Sequence, residues 1–296
     1  MILVTGASGF VGGHVVRRLH ESGALVRVMV RDPAKAPRLS GIDIVTADLT
    51  KPESLGAAVK GVHAIIHAAA ITADRKEPYK GAYDRINHVG TANLVTAARE
   101  ARVGRLVVMS GLGTKPVPSG TYMATRWGLE EAVRESAIPF VILQPSVLFG
   151  DRAEFIAALS RLIRISPLVP LIGGGTVRFQ PLWIEDLVTC LVTSLDSDPL
   201  TGKTIAIGGS EHVTFKEVIQ AICSSMSVHR LLVPLPIGVA RLQARAMSSL
   251  PRPPLTPAAL ELFGLDNATD LDSVDRDFGF HPQGFRAYLR EHGVAA

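Results

Sequence analysis

The octet Thr5-Gly-Ala-Ser-Gly-Phe-Val-Gly12 closes an apolar run, ILVT at 2–5, and opens a helical apolar period that continues to Leu19. Few folds accept three glycines, each three residues after the last, at a strand-to-helix turn. Gly6 permits the tight turn, Gly9 admits a ligand against the backbone, and Gly12 lets the helix close on the strand. The helix start then offers unpaired N–H groups and the positive end of its dipole, a setting that suits phosphate. In this strand–turn–helix context the octet predicts a cradle for the pyrophosphate of a dinucleotide, with Ser8, Phe10 and Val11 completing the loop.

The rest of the first half obeys the same grammar. Strands are predicted at 2–5, 25–30, 42–46, 63–67, 105–109 and 140–143, with helical patterns near 10–22, 52–59, 87–102 and 121–137. Continuous apolar strands alternating with amphipathic helices predict a doubly wound α/β domain around a parallel sheet. After Gly150 the pattern loosens. Helices are predicted near 153–165, 185–195, 214–226, 236–249 and 256–263, with short strands near 177–180 and 204–207. The segment 231–257 is rich in proline. The expected organisation is a dinucleotide-binding domain over 1–150, to which 182–207 return, and a smaller α/β cap formed by 151–181 and 208–296.

The end of the second strand selects between dinucleotides. An acidic residue about 20 residues after the glycines would accept a hydrogen bond from a ribose 2′-hydroxyl, as for NAD(H). Arg31 stands at that place instead, and a guanidinium pairs bidentately with a 2′-phosphate. NADP(H) is therefore the expected cofactor and NAD(H) the alternative. Asp32 is expected to open the next turn.

Composition narrows the classes further. The chain is 47% apolar and its formal net charge is only +4, without dense Lys/Arg runs or interleaved aromatics, so no nucleic-acid partner is expected. The two cysteines, Cys190 and Cys223, lack metal-ligand spacing and read as buried thiols of a reducing compartment. His63, His67 and His88 likewise show neither metal spacing nor an acidic neighbour, so no metal is expected. The chain enters its first strand at Ile2, leaving no room for a signal peptide, and no run reaches the ~18 apolar residues of a membrane span.

Several stretches together resemble the short-chain dehydrogenase/reductase superfamily, in its extended and atypical branches. TGASGFVG matches the TGxxGxxG turn of extended members. Asp48-Leu49 matches the acidic-Leu pair that contacts adenine in the family, and Ala68, Ala69 and Ala70, after His67, resemble the small-residue stretch along the cofactor. Asn87-His-Val-Gly-Thr-Ala-Asn-Leu94 is similar to the family's NVxGTxNLL helix. Gln144-Pro-Ser-Val-Leu-Phe-Gly150 resembles the segment over the nicotinamide, which brings Pro145 and Ser146 into the cofactor site; Gln144 replaces the usual Arg. FQPLWIEDL at 179–187 and DRDFGFHP at 275–282 extend the likeness over essentially the whole chain. The run PLVPLIGGG at 167–175, followed by FQP at 179–181, resembles bacterial relatives of the Rossmann-type accessory subunit of respiratory complex I, proteins that are epimerase/dehydratase-like and NmrA-like.

The resemblance implies a Rossmann fold and a catalytic group. Val107-Val-Met-Ser110 resembles the strand that ends in the catalytic serine, and Tyr122 opens the helix of the Tyr-x-x-x-Lys pair. In the family, the tyrosine donates a proton to a carbonyl oxygen that the serine also hydrogen-bonds, while the lysine holds the nicotinamide ribose and its charge lowers the tyrosine pKa. Here Arg126 occupies the lysine place. It keeps charge and donors but does not readily release a proton.

Two functions follow as expectations. One is an NADP(H)-dependent oxidoreductase using Ser110, Tyr122 and Arg126 on a carbonyl or alcohol carbon held between the sheet and the cap. The other is a non-catalytic NADP(H)-binding accessory or assembly subunit, or a redox-sensing regulator, which the arginine favours. Ser8 is expected to cap or line the phosphate turn, Asp186 to serve a helix start, and Gly173–Gly175 to form a flexible turn. The helix carrying Arg241 and Arg245, four apart on an apolar surface, is expected to pack on the core, with contact to a membrane surface or a lipid- or quinone-like substrate as the alternative. The chain is expected in the cytoplasm, with a peripheral inner-membrane location as the variant, and as a monomer or a homodimer.

Overall fold

The computed structural model describes residues 1–248, 250 and 255–294. The expected end of the helix at Ser249 and the prolines of 251–254 lie outside the described residues. Two compact units divide the chain. The first comprises Met1–Ile71, Glu77–Gln144 and Leu187–Ile205; the second comprises Thr72–Lys76, Pro145–Asp186 and Ala206–Ala296.

The first unit is built on β1 (Ile2–Thr5), β2 (Val26–Val30), β3 (Asp43–Thr46), β4 (Ala64–His67), β5 (Arg105–Met109) and β6 (Phe140–Pro145). The spatial order is β3-β2-β1-β4-β5-β6, with Lys203–Ile207 added beyond β6. Neighbours among the first six strands pair parallel. All residues of β1, β4 and β5 are buried. That is why these strands read as unbroken apolar runs rather than as alternation.

The intervening helices are α1 (Phe10–Glu21), α2 (Leu55–Val59), α3 (Gly90–Glu100) and α4 (Tyr122–Arg134). One core gathers Leu3, Ile65, Leu106 and Ile142 from the sheet with Leu94 of α3 and Leu129 and Val133 of α4. The pattern near 87–102 resolves into two parts, a π-helical segment Asp84–Val89 running into α3. Likewise 52–59 divides into a 3-10 turn, Pro52–Ser54, and α2. The chain steps from β1 to β2 and then β3 on one side of β1, and β4 lies on the other side. Strand order therefore reverses between β1 and β4, the place where such sheets take their ligands.

The second unit contains β7 (Leu148–Phe149), α5 (Glu154–Ile165), β8 (Leu168–Ile172), β9 (Arg178–Phe179) and β10 (Leu182–Trp183). After α6 (Ile184–Thr193) and β11, the strand Lys203–Ile207 already described, come β12 (Val213–Thr214), α7 (Phe215–Ser225) and β13 (Leu231–Leu235). The chain closes with α8 (Ile237–Met247), α9 (Pro257–Leu262), α10 (Ser273–Phe278) and α11 (Phe285–His292). Its core joins Phe149, Ile163, Val169, Phe179, Phe215, Ile222 and Phe285.

Seven of these elements escape the sequence pattern, among them the two-residue strands β7, β10 and β12. β8 and β13 pair parallel as an isolated ribbon that includes Pro170 and Pro234. Each strand has only one partner, so a missing N–H costs the ladder little. The helices α10 and α11 are too short to display a period.

Candidate functional site

The glycine turn lies at the reversal point. Gly6 has φ +69°, and a Cβ built on it would stand 2.7 Å from the Ala68 oxygen, so the loops after β1 and β4 touch through their backbones. The Gly9 N–H donates to the Gly6 carbonyl at 2.8 Å and tightens the turn. A Cβ on Gly12 would approach the Gly6 oxygen to 2.2 Å, so helix and strand meet too closely for any side chain.

Gly9 is the N-cap of α1 and makes no side-chain cap, so the first N–H groups of the helix have no side-chain acceptor. Ser8 is exposed and does not cap the helix, which corrects the capping half of its expected role. The Phe10 ring meets His14 edge-on at 5.6 Å, while the Val11 side chain is buried, leaving its N–H as the group available to a phosphate.

Beyond β2, Arg31 is exposed and Asp32 caps the following 3-10 turn through the Ala34 N–H at 3.1 Å. Asp32 is thus engaged in local structure, as expected. Asp48 Oδ1 accepts from the Thr50 N–H at 2.9 Å and from the Thr50 hydroxyl at 2.8 Å, which fixes the loop after β3. Two residues of α3 hold that loop. Asn93 Nδ2 donates to the Leu49 carbonyl at 2.8 Å, and a Cβ on Gly90 would come within 2.9 Å of Leu49 Cβ. The GTANL stretch is therefore the support of the Asp48–Leu49 loop.

Ala68, Ala69 and Ala70 follow β4, half-buried. Asn87 pins the next residue on both sides: its Oδ1 accepts from the Ile71 N–H at 2.8 Å and its Nδ2 donates to the Ile71 carbonyl at 3.0 Å. Beneath them His67 is fully engaged. The Thr91 hydroxyl donates to the Asn87 carbonyl at 2.6 Å, so it must accept from His67 Nε2–H at 2.9 Å. His67 Nδ1 then accepts from the Thr5 hydroxyl at 2.7 Å. Burial, aided by the nearby Arg126 charge, lowers the His67 pKa to about 4, so the ring is neutral at pH 7.

Ser110, Tyr122 and Arg126 are 1%, 5% and 8% exposed. Ser110 is positioned by the end of β5, where its N–H donates to the Leu143 carbonyl at 2.7 Å. The Thr114 hydroxyl donates to the Gly111 carbonyl at 2.7 Å, so in the 3.3 Å contact with Thr114 the Ser110 hydroxyl is the donor. Thr121 caps α4 through the Ala124 N–H, which places Tyr122 at N1. The Tyr122 ring meets Tyr83 edge-on at 5.2 Å. The Arg126 guanidinium stands 5.7 Å from the Tyr122 ring centroid and lies against Gly111, where a Cβ would stand 3.4 Å from Nη2. Arg126 Nη1 is buried without a hydrogen-bond partner among the described residues. A buried charged donor left unbonded costs several kcal/mol unless a ligand completes it.

Some functional groups were invisible as sequence. Glu130, fully buried on α4, accepts from Gln144 Nε2 at 2.8 Å and from Arg134. Gln144, the departure from the family's arginine, is thus matched to a buried carboxylate. Only the helical spacing Tyr122–Arg126–Glu130 hinted that they share a face. His88 corrects its reading as a histidine without acidic neighbour, since its Nδ1 meets Asp84 Oδ1 at 3.0 Å. In the second unit the Ser146 hydroxyl donates to Asn267 at 2.7 Å and is committed to that loop, with Pro145 buried beside it. Asp186, in the first turn of α6, also accepts from the Gln283 N–H at 2.7 Å. Gly173–Gly175 form a tight turn with positive φ at all three positions, in which Gly175 is buried.

A parallel sheet that reverses at a glycine turn with an uncapped helix start defines a dinucleotide-binding α/β protein. The open phosphate cradle and the unbonded Arg126 donor fit a nicotinamide dinucleotide. Residues 6–160 match the family described as NAD(P)H-binding, and the chain belongs to that family, as an extended member of the short-chain dehydrogenase/reductase superfamily. It is 29% identical over 280 residues to a ceramide reductase of Caulobacter vibrioides, spanning 93% of this chain and 85% of that protein. With subunit 9 of the NADH dehydrogenase [ubiquinone] 1 alpha subcomplex of Arabidopsis thaliana it shares 25% identity, over 93% of this chain and 70% of the relative. A dTDP-glucose 4,6-dehydratase of Streptomyces venezuelae, solved with NAD bound, superposes with a TM-score of 0.76 at 21% identity, covering 98% of this chain and 94% of that one.

Proposed function

We propose that the protein is an NADP(H)-dependent oxidoreductase acting on a carbonyl or alcohol carbon, with Tyr122 as proton donor and acceptor. The observation that carries this reading is the buried Arg126 guanidinium beside Tyr122, with one donor left for a ligand. The bound nicotinamide would supply or accept the hydride. Tyr122 would hold the proton for the substrate oxygen, Ser110 would hydrogen-bond the same oxygen, and Arg126 would grip the ribose. Gly6, Gly9 and Gly12, with the N–H groups of Phe10 and Val11, would take the pyrophosphate; Ser8 would line it. Asp48, Leu49 and Ala68–Ala70 would flank the adenosine and the chain of the cofactor, and Pro145 and Ser146 would border its nicotinamide. Exposed Arg31 would meet the 2′-phosphate. Relatives named as a ceramide reductase, a 2-alkyl-3-oxoalkanoate reductase and a 3-beta-hydroxysteroid dehydrogenase support a hydrophobic carbonyl or alcohol substrate.

Incubation with deuterated NADPH and a panel of long-chain ketones and 3-ketosteroids tests the reading. It predicts deuterium on the carbinol carbon with the native protein and at least about 100-fold slower labelling with Tyr122→Phe. Label appearing equally with both would refute it.

A second reading has one observation behind it. A guanidinium cannot relay a proton as an ammonium does, so the site is better built to bind than to turn over. An accessory or regulatory NADP(H)-binding role follows, in line with the respiratory-subunit relative. That protein would retain NADPH without oxidising it against any carbonyl.

A further inference from the structure

The second unit holds large apolar side chains in the open. In the β8–β13 ribbon Leu168 pairs with Leu231 and Pro170 with Val233, so the four share one face. Leu168, Leu231 and Val233 are 51%, 64% and 41% exposed, whereas Val169 and Leu171 on the opposite face are buried. Ile165, the last residue of α5, is 83% exposed immediately before the ribbon. The ribbon continues through Pro236 into α8, which buries only Ala240 and Ala244. Val239, Leu242 and Ala246, at helical spacing, form an exposed stripe on the other side, with exposed Arg241 and Arg245 along its flank.

The stretches that supply these elements are poor in acids, with Glu154 paired to Arg161, Asp266 paired to Arg178, and Glu261 on the neighbouring α9. No Asp or Glu occurs between Glu217 and Glu261, a stretch that contains Arg230, Arg241, Arg245 and Arg252. None occurs between Glu154 and Glu185 either, where Arg161, Arg164 and Arg178 lie. Arg164, Arg230, Arg241 and Arg245 make no ion pair among the described residues. Arg230 is tied to the end of α5 through the Ile163 carbonyl at 2.7 Å, which links the two cationic stretches beside the ribbon.

We infer that this surface of the second unit lies on an anionic lipid bilayer. Its apolar side chains enter the boundary between headgroups and acyl chains, and its arginines pair with lipid phosphates. A second copy of the chain is the poorer occupant, because a two-fold contact sets the same unpaired arginines against one another. The mode is peripheral, since no helix among the described residues is long and apolar enough to cross a membrane.

Co-sedimentation with vesicles tests the inference. The full chain should pellet with phosphatidylglycerol/phosphatidylcholine vesicles at low salt and stay in solution with pure phosphatidylcholine. Replacing both Arg241 and Arg245 by Ala should weaken binding on the order of 25-fold, at about 1 kcal/mol per arginine. Leu242→Glu should abolish it, while its melting temperature and nucleotide affinity stay native. Absence of binding, equal binding to both vesicle types, or native binding by Leu242→Glu would overturn the inference. So would a dimer in solution that Leu242→Glu dissolves while vesicles bind nothing.

Discussion

The Arg126 guanidinium lies 5.7 Å from the centroid of the Tyr122 ring, one turn away on α4, with its Nη1 buried and unbonded. The pair therefore provides a phenol, a fixed positive charge and one donor without a partner among the described residues. Tyr122→Phe should lower turnover between about 100- and 10,000-fold, the usual worth of a positioned acid or base, with little change in nucleotide affinity. Arg126→Lys restores a group that can exchange a proton and should raise turnover, whereas Arg126→Gln should lose nucleotide affinity. Steady-state rates and nucleotide titrations of the three variants separate these roles. An Arg126→Gln protein with native affinity would remove Arg126 from the binding site.

Gly12 and Gly56 make opposite predictions from the same substitution. A Cβ on Gly12 meets the Gly6 backbone oxygen at 2.2 Å, and neither backbone can yield without opening the turn. Gly12→Ala should cost about 3 kcal/mol and abolish nucleotide binding. Gly56, inside α2, has open space around its Cβ. Gly56→Ala should stabilise the protein by about 0.5–1 kcal/mol. Urea unfolding with and without nucleotide measures both.

His67 predicts a pH dependence of stability. Its folded pKa of about 4 lies below the ordinary histidine value of 6.5, so the unfolded chain binds the proton first. Stability from this group is complete above about pH 6.5 and falls as pH drops toward 4, by roughly 3 kcal/mol in all. His67→Gln keeps polar atoms for Thr5 and Thr91 but cannot titrate. Its unfolding free energy should lose slope across that interval while the native protein keeps it; parallel curves would contradict the account.

The Asp48–Leu49 loop depends on α3 through one side chain. Asn93 Nδ2 bonds the Leu49 carbonyl at 2.8 Å. Asn93→Ala should cost about 1 kcal/mol of stability and weaken binding of the adenosine half, with turnover of bound nucleotide unchanged. A drop in turnover at saturating nucleotide would place Asn93 elsewhere in the mechanism.

How much of this could be read from the sequence depends on where the information resides. The sheet was legible because strands buried on both faces are apolar through their centres, as in AII of β4 and LVVM of β5. The glycine turn was legible because its packing forbids Cβ atoms at Gly6 and Gly12. The β8–β13 ribbon was not, because Pro170 and Pro234 argue against strands and their tolerance depends on having one partner each. Nor was the neutrality of His67, which comes from burial and from Thr5 and Thr91, distant in sequence. Glu130 and Gln144 read as an ordinary helix acid and a family departure until the fold set them 2.8 Å apart. Ser8 shows the reverse error: a serine beside a helix start invites a capping role, but the backbone makes Gly9 the cap.

The most direct test of the central claim is calorimetric titration of NADPH and NADH into the native protein and into Arg31→Ala. Arg31 is exposed at the end of β2, where a 2′-phosphate would lie. NADPH should bind the native protein at least about tenfold more tightly than NADH, and Arg31→Ala should erase that preference by weakening NADPH alone, in line with about 1.5–3 kcal/mol for a charged hydrogen bond. Equal affinities in the native protein, or a preference that survives in Arg31→Ala, would contradict it.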